Sequence, residues 1–205
     1  MKTVNAIKII SDFRGKNLKI KLDEIKLDII GKGKSSLPNL DDVFDAAVEI
    51  KRVSAQIDEI VHATGIIKCL NKVLKKSEII KDLSLASGAD GEGIDVVTNL
   101  RIAEFKFAKW QSGKGNGMRK RQVFADLVNL YLNPSLLKKE LYVYDSDKVI
   151  KFFSSKKSSW KKVLSKSGGL DDELKKYMKK NGLKGKYLND IYSVSNVSVR
   201  DIGDI

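Results

Sequence analysis

With 205 residues, 42% of them hydrophobic and only two prolines, the chain has the length for one compact domain with a modest extension and the composition of a folded protein. Lysine and arginine total 39 against 26 acidic residues, and this formal net charge of +13 points to a polyanionic partner, most simply nucleic acid. The single cysteine, Cys69, excludes a disulfide framework or a thiolate-rich zinc site; with no secretory leader and no run of about 18 apolar residues, the expectation is a cytoplasmic protein that spans no membrane.

From Lys2 to Ile30, short alternating runs such as Leu18, Ile20 and Leu22 predict one or two strands. Gly31 to Asn39 is a loop, after which Asp41 or Asp42 is placed to cap a helix. Apolar residues then recur at three- and four-residue intervals from Val43 to about Leu74, predicting one long helix or two joined near Thr64 and Gly65. The run IIKDLSLASG reads as a strand ending at Gly88, and the turn GADGEG leads to a second strand in IDVVT. A turn at Asn99 and Leu100 leads to a third strand in RIAEFKFA. QSGKGNG is a loop, Met118 to Leu132 is helical, Pro134 ends that helix, and LYVYD is a further strand.

Alternation along RIAEFKFA sends Ala103, Phe105 and Phe107 one way and Glu104 and Lys106 the other. A carboxylate and an ammonium side by side in a strand built for burial are costly unless they pair or serve chemistry. Nine residues earlier, Asp95 interrupts an equally apolar run. If the two strands are hairpin partners, Asp95 and Glu104 converge at one end of the sheet, where two carboxylates and a lysine suit magnesium, with manganese as an alternative. Such a site polarises a phosphoryl group and acidifies a bound water, and Lys106 is placed to orient that water.

Asp95 followed by Glu104-Phe105-Lys106 resembles the D…ExK signature of the PD-(D/E)XK nuclease superfamily, and the element order agrees with its αβββαβ core. The resemblance implies a restriction endonuclease-like α/β fold, a mixed central sheet flanked by helices. It implies that Asp95 and Glu104 bind a divalent metal while Lys106 positions or activates the nucleophilic water. Many members add an acidic residue from the first core helix. Glu59 is the best match for that ligand, with Glu49 and Glu78 as competitors. His62 and Gln122 mimic a histidine and a glutamine found in RecB-like members. Ile94 stands where the motif's proline would be.

The expected organisation is an N-terminal extension over 1–40, a nuclease core over 41–147 and a basic C-terminal extension packed on that core over 148–205. Arg119, Arg121 and Gln122 near a helix start, together with Lys109, are expected to contact the DNA backbone. Asp126 and Asn129 continue the polar stripe of Arg119 and Gln122 and read as solvated. Between Lys151 and Lys186, 12 lysines stand against three acidic residues with aromatics interspersed; Trp160 and Tyr177 read as the core of small helices. The function expected is magnesium-dependent endonucleolytic cleavage of DNA, by a chain that could act as a homodimer. The alternative is a catalytically inactive, nuclease-like module that binds nucleic acid.

Overall fold

A computed structural model describes residues 2–13, 16–31, 36–55, 57–85, 94–110 and 116–203. The chain divides into two compact units, residues 1–58 and 59–205.

The first unit contains helices α1 (Thr3–Ser11), α2 (Lys16–Ile29) and α3 (Asp41–Ser54). The strands expected between Lys2 and Ile30 are therefore corrected to helices. The alternation of Leu18, Ile20 and Leu22 is local, whereas Leu18, Leu22, Ile25 and Ile29 recur at four, three and four residues, the helical interval. Helix α1 packs on α3 through Ala6 and Ala46, both completely buried, and Thr3 Oγ1 donates to Glu49 Oε1 at 2.9 Å. Leu40 occupies the N-cap of α3, so Asp41 and Asp42 are not caps but lie in its first turn, where the helix dipole favours them. The side-chain acceptor there is Asn39, whose Oδ1 takes the Asp41 N–H at 2.8 Å.

Helix α4 (Ile57–Val73) runs through Thr64 and Gly65 without the join expected there; the interruption falls between α3 and α4 instead. Gly65 serves close approach: a Cβ built on it would lie 2.6 Å from the Phe107 ring. The expected α/β architecture is present as a five-stranded mixed sheet of β1 (Ile80–Leu83), β2 (Val96–Thr98), β3 (Arg101–Lys106), β4 (Lys138–Val143) and β5 (Val197–Asp201), in that order. Strands β1, β2 and β3 pair antiparallel. β3, β4 and β5 pair parallel, and α5 (Asn116–Leu132) spans the crossover from β3 to β4 that parallel pairing requires. The GADGEG turn and residues 111–115 of the QSGKGNG loop lie outside the described residues.

The tight β2–β3 turn is fixed by Thr98, whose Oγ1 accepts the N–H groups of Leu100 and Arg101. One sheet face packs Val96, Ala103, Phe105 and Tyr142 against Ile66, Cys69 and Leu70 of α4. The other packs Ile102, Leu141 and Val143 against α5. Because helices cover both faces, β3 is buried at Ile102 and Glu104 as well as at Ala103 and Phe105.

Residues 146–203 form short helices and then β5, which has no counterpart among the strands read from the sequence. Helices α6 (Ser146–Phe153), α7 (Trp160–Leu164), α8 (Leu170–Lys180) and α9 (Leu188–Tyr192) add Phe153, Trp160, Leu174 and Leu188 to the α5-side core. Trp160 is buried as expected and its Nε1 donates to the Gly185 carbonyl at 3.1 Å; Tyr177 meets Tyr131 edge to face at 5.2 Å. Among the described residues, no helix is long and apolar enough to cross a membrane.

Candidate active site

The antiparallel register pairs Val96 with Ala103 and Val97 with Ile102. Just before the first of these pairs the Asp95 N–H donates to the Ala103 carbonyl at 3.1 Å, so Asp95 and Val96 both lie against Ala103. Asp95 lies just before β2, where its carboxylate ties two elements together. Oδ2 accepts the Phe105 backbone N–H at 2.7 Å, and Oδ1 lies 3.1 Å from Nε2 of His62 on α4.

Glu104 and Lys106, two residues apart, share the strand face that α5 covers. Glu104 Oε1 receives a hydrogen bond from Lys106 Nζ at 2.7 Å, and Nζ also lies 3.4 Å from Asp126 Oδ2. Two buried carboxylate oxygens, Glu104 Oε2 and Asp126 Oδ2, have no hydrogen-bond partner. Both carboxylates nevertheless have a cation beside them, since Lys106 Nζ bonds the other oxygen of Glu104 and lies within ion-pairing distance of Asp126 Oδ2.

The electrostatics follow from the crowding. Burial, reinforced by the nearby charge of Asp126, pushes the Glu104 carboxyl well above the usual carboxylate range, with Lys106 opposing. Burial also raises Asp126, again against the pull of Lys106 and with the charge of Asp95 adding to the rise. Burial works against the Lys106 ammonium, but Asp126 and Glu104 outweigh it and hold its pKa above that of an ordinary lysine.

Of the expected trio, Glu104 and Lys106 are in contact, whereas Asp95, at the same end of the β2–β3 hairpin, is held by His62 of α4 and the Phe105 N–H and makes no hydrogen bond or ion pair with either of them. Glu59 is not brought there: it lies one turn before His62 on α4, exposed, and among the described residues it makes no hydrogen bond or ion pair. The competing acids are occupied elsewhere, Glu49 with Arg52 and Thr3. Glu78 is buried and clamps the Arg101 guanidinium with two contacts of 2.7 Å.

Asp126 is the residue that sequence reasoning misplaced, since the stripe read as solvated carries a carboxylate that faces Lys106. The available signal was its immediate surroundings: Val123, Phe124, Leu127 and Val128 are all buried, so its stretch of α5 lies deep against the sheet. Cys69 is a buried free thiol in the core.

Next to the cluster, Lys106, Trp110, Arg119, Gln122 and Tyr144 line one cleft. Arg119 and Gln122, expected on the DNA backbone, therefore share a wall with the expected catalytic lysine. Lys109 projects over the Tyr144 ring at 5.7 Å from its centroid, and Arg121, half-buried on α5, is not part of the cleft lining.

The acidic side chains here are carboxylates, the ligand type that a hard divalent cation takes, and Glu104 Oε2 has no hydrogen-bond partner. Among the described residues, no group of three or more His, Cys, Asp or Glu side chains is arranged to hold a metal ion, and Lys106 supplies the positive charge between Glu104 and Asp126. No family model, curated protein or solved structure matches this chain.

Proposed function

We propose that this chain is a divalent-cation-dependent nuclease of the PD-(D/E)XK type that hydrolyses phosphodiester bonds in DNA. The observation that carries the reading is the buried contact of Glu104 with Lys106, at the end of the hairpin that also carries Asp95, with one Glu104 oxygen left without any donor. Asp95 and Glu104 would hold magnesium or manganese. The bound ion would supply charge neutralisation at the phosphoryl group and a more acidic water.

The protein's own groups account for the rest. The hydrogen bond from the Phe105 N–H fixes the Asp95 carboxylate, and His62 restrains its other oxygen. Lys106, about one third exposed at its side chain, reaches from the niche into the cleft, where its N–H groups can orient a water or donate to a phosphoryl oxygen. Arg119 and Gln122, on the same cleft wall, would hold the flanking phosphates. The net charge of +13 favours a polyanionic substrate over a small neutral one.

Plasmid and single-stranded DNA incubated with magnesium or manganese, with EDTA, and with a Lys106→Ala control test the reading. Metal-dependent cutting that the control abolishes supports it. Salt-dependent binding without cutting selects the inactive nucleic-acid-binding module, and neither cutting nor binding sinks both.

A further inference from the structure

The three parallel strands of the sheet run out together. Their register pairs Lys106 with Val143 and Val143 with Asp201, the last residues of β3, β4 and β5, so the next residues, Phe107, Tyr144 and Ile202, follow in neighbouring positions. The Ile202 N–H donates to the Val143 carbonyl at 2.8 Å, which carries the pairing past the end of β5. Alternation puts Phe107 and Tyr144 on the face of Phe105 and Tyr142, the one that α4 covers. Phe105 and Tyr142 are stacked with centroids 4.6 Å apart, and Phe107 lies nearly parallel to Phe105 at 6.1 Å. An aromatic ladder thus extends beyond the strands.

At its outer end a cleft of about 320 Å³ opens between α4 and the strand ends, lined by Val61, Lys68, Cys69, Phe107, Tyr144 and Ile202. Small-molecule sites begin at roughly that size, and the crevice beyond the carboxyl ends of parallel strands is where open α/β sheets take ligands. Phe107 and Tyr144 are half-buried, and the Tyr144 hydroxyl makes no hydrogen bond among the described residues.

The lining also carries charge of one sign. Lys68 is exposed at the cleft, no carboxylate lines it among the described residues, and Lys109 stands over the Tyr144 ring at 5.7 Å. An occupant that uses all of these groups is flat, apolar on its faces and tethered to negative charge, which describes a nucleobase on its phosphate backbone. Tyr144 also lines the cleft of Lys106, Arg119 and Gln122, so a strand lying across the ends of β3 and β4 meets both clefts. The base has to be unpaired, because stacking in a duplex covers its faces.

We propose that this cleft binds one unpaired base of a DNA strand, seated on Phe107 and Tyr144, with its phosphates met by Lys68 and Lys109. The proposal rests on the nucleic-acid part of the function given above and not on hydrolysis, and it makes a single-stranded segment the preferred substrate.

Fluorescence anisotropy of the full chain in EDTA tests it, with a labelled oligothymidylate, an abasic strand of the same length and a duplex. Oligothymidylate should bind about tenfold more tightly than the abasic strand. Tyr144→Leu should remove that advantage while leaving abasic and duplex binding unchanged, and Tyr144→Phe, which keeps the ring, should retain it. Lys68→Ala should weaken both single strands and lower the salt slope by about 0.7, the loss of one phosphate contact. Equal affinity for the two strands, or a Tyr144→Leu protein that loses all three ligands alike, overturns the proposal.

The unaltered protein offers a second measurement, since Cys69, the single cysteine, lies in the cleft lining. Its modification by methyl methanethiosulfonate should slow with saturating oligothymidylate and not with saturating abasic strand. Equal rates with the two strands overturn the proposal, and equal protection by free thymidine monophosphate overturns the assignment to a strand. Every arm is free of metal and reads binding alone. Base-dependent binding without metal-dependent cutting therefore leaves the cleft assigned and sinks hydrolysis, whereas cutting without base-dependent binding does the reverse.

Discussion

Asp95 and Phe105 are joined by a 2.7 Å hydrogen bond from the Phe105 backbone N–H to Asp95 Oδ2, so the carboxylate proposed to hold a metal also fastens the strand that carries Glu104 and Lys106. One side chain thereby serves both the hairpin and the site.

That double duty separates two substitutions. Asp95→Asn keeps an oxygen for the Phe105 N–H and an amide toward His62, so urea unfolding should show a loss under about 1 kcal/mol. Metal-dependent DNA cutting should nevertheless fall about a hundredfold or more, as loss of a charged ligand demands. Asp95→Ala leaves a buried N–H unpaired and should cost about 1–3 kcal/mol in the same unfolding experiment. Equal stability of the two variants would contradict this view of Asp95.

The raised Glu104 carboxyl ties the stability of the metal-free protein to pH. A group with a folded pKa above its ordinary value of 4.5 contributes stability that is complete below that value and is lost as pH rises through the elevated one. Thermal melts in EDTA should show this decline toward alkaline pH, and Glu104→Gln should flatten it. Added magnesium should raise Tm more at alkaline than at acid pH, since binding needs the ionised carboxylate.

At the other end of β3 the sign reverses. Burial raises the Glu78 carboxyl, but hydrogen bonds from Arg101, Thr98 and the Lys75 backbone outweigh it and lower the pKa from 4.5 to about 2. The contribution, about 3 kcal/mol by the free energy of such a shift, is present above pH 4.5 and is lost as pH falls toward 2. Glu78→Gln should remove that acid-range loss, and Arg101→Met should destabilise by about 3–5 kcal/mol by leaving Glu78 without its cation and Glu140 with only the more distant Arg200 at 3.8 Å. Chemical unfolding as a function of pH checks both.

Gly65→Ala sets helix propensity against packing. Alanine gains about 1 kcal/mol inside α4, while its Cβ would press to 2.6 Å on the Phe107 ring, and overpacking of that kind costs about 1–3 kcal/mol. A net destabilisation of about 1 kcal/mol is expected, with a smaller penalty in the Phe107→Leu background. A stabilised Gly65→Ala protein would show that the ring yields freely.

Arg119→Ala should weaken DNA binding across all sequences and lower the slope of log affinity against log salt by about 1, as loss of one phosphate contact does. Arg121→Ala, away from the cleft lining, should alter it less. Filter binding over a salt series measures both.

The sequence by itself determined the parts of this protein that periodicity and strand alternation control. The helical spacing over Val43–Leu74 and Met118–Leu132, and the apolar runs around Asp95 and Glu104, were legible because each element buries a face set by its own period. Glu104 and Lys106 share a face through strand geometry alone, and their contact followed from that. Where local pattern was ambiguous it misled: Leu18, Ile20 and Leu22 alternate over five residues inside α2.

Only the tertiary structure decided which acids and bases meet. His62 reaches Asp95 across 33 positions, and Asp126 reaches Lys106 from a separate helix; no spacing rule links them, because the distances are set by how α4 and α5 pack on opposite faces of the sheet. The same packing buries both faces of β3 and turns a carboxylate that a helical wheel assigns to water into the partner of a buried ammonium.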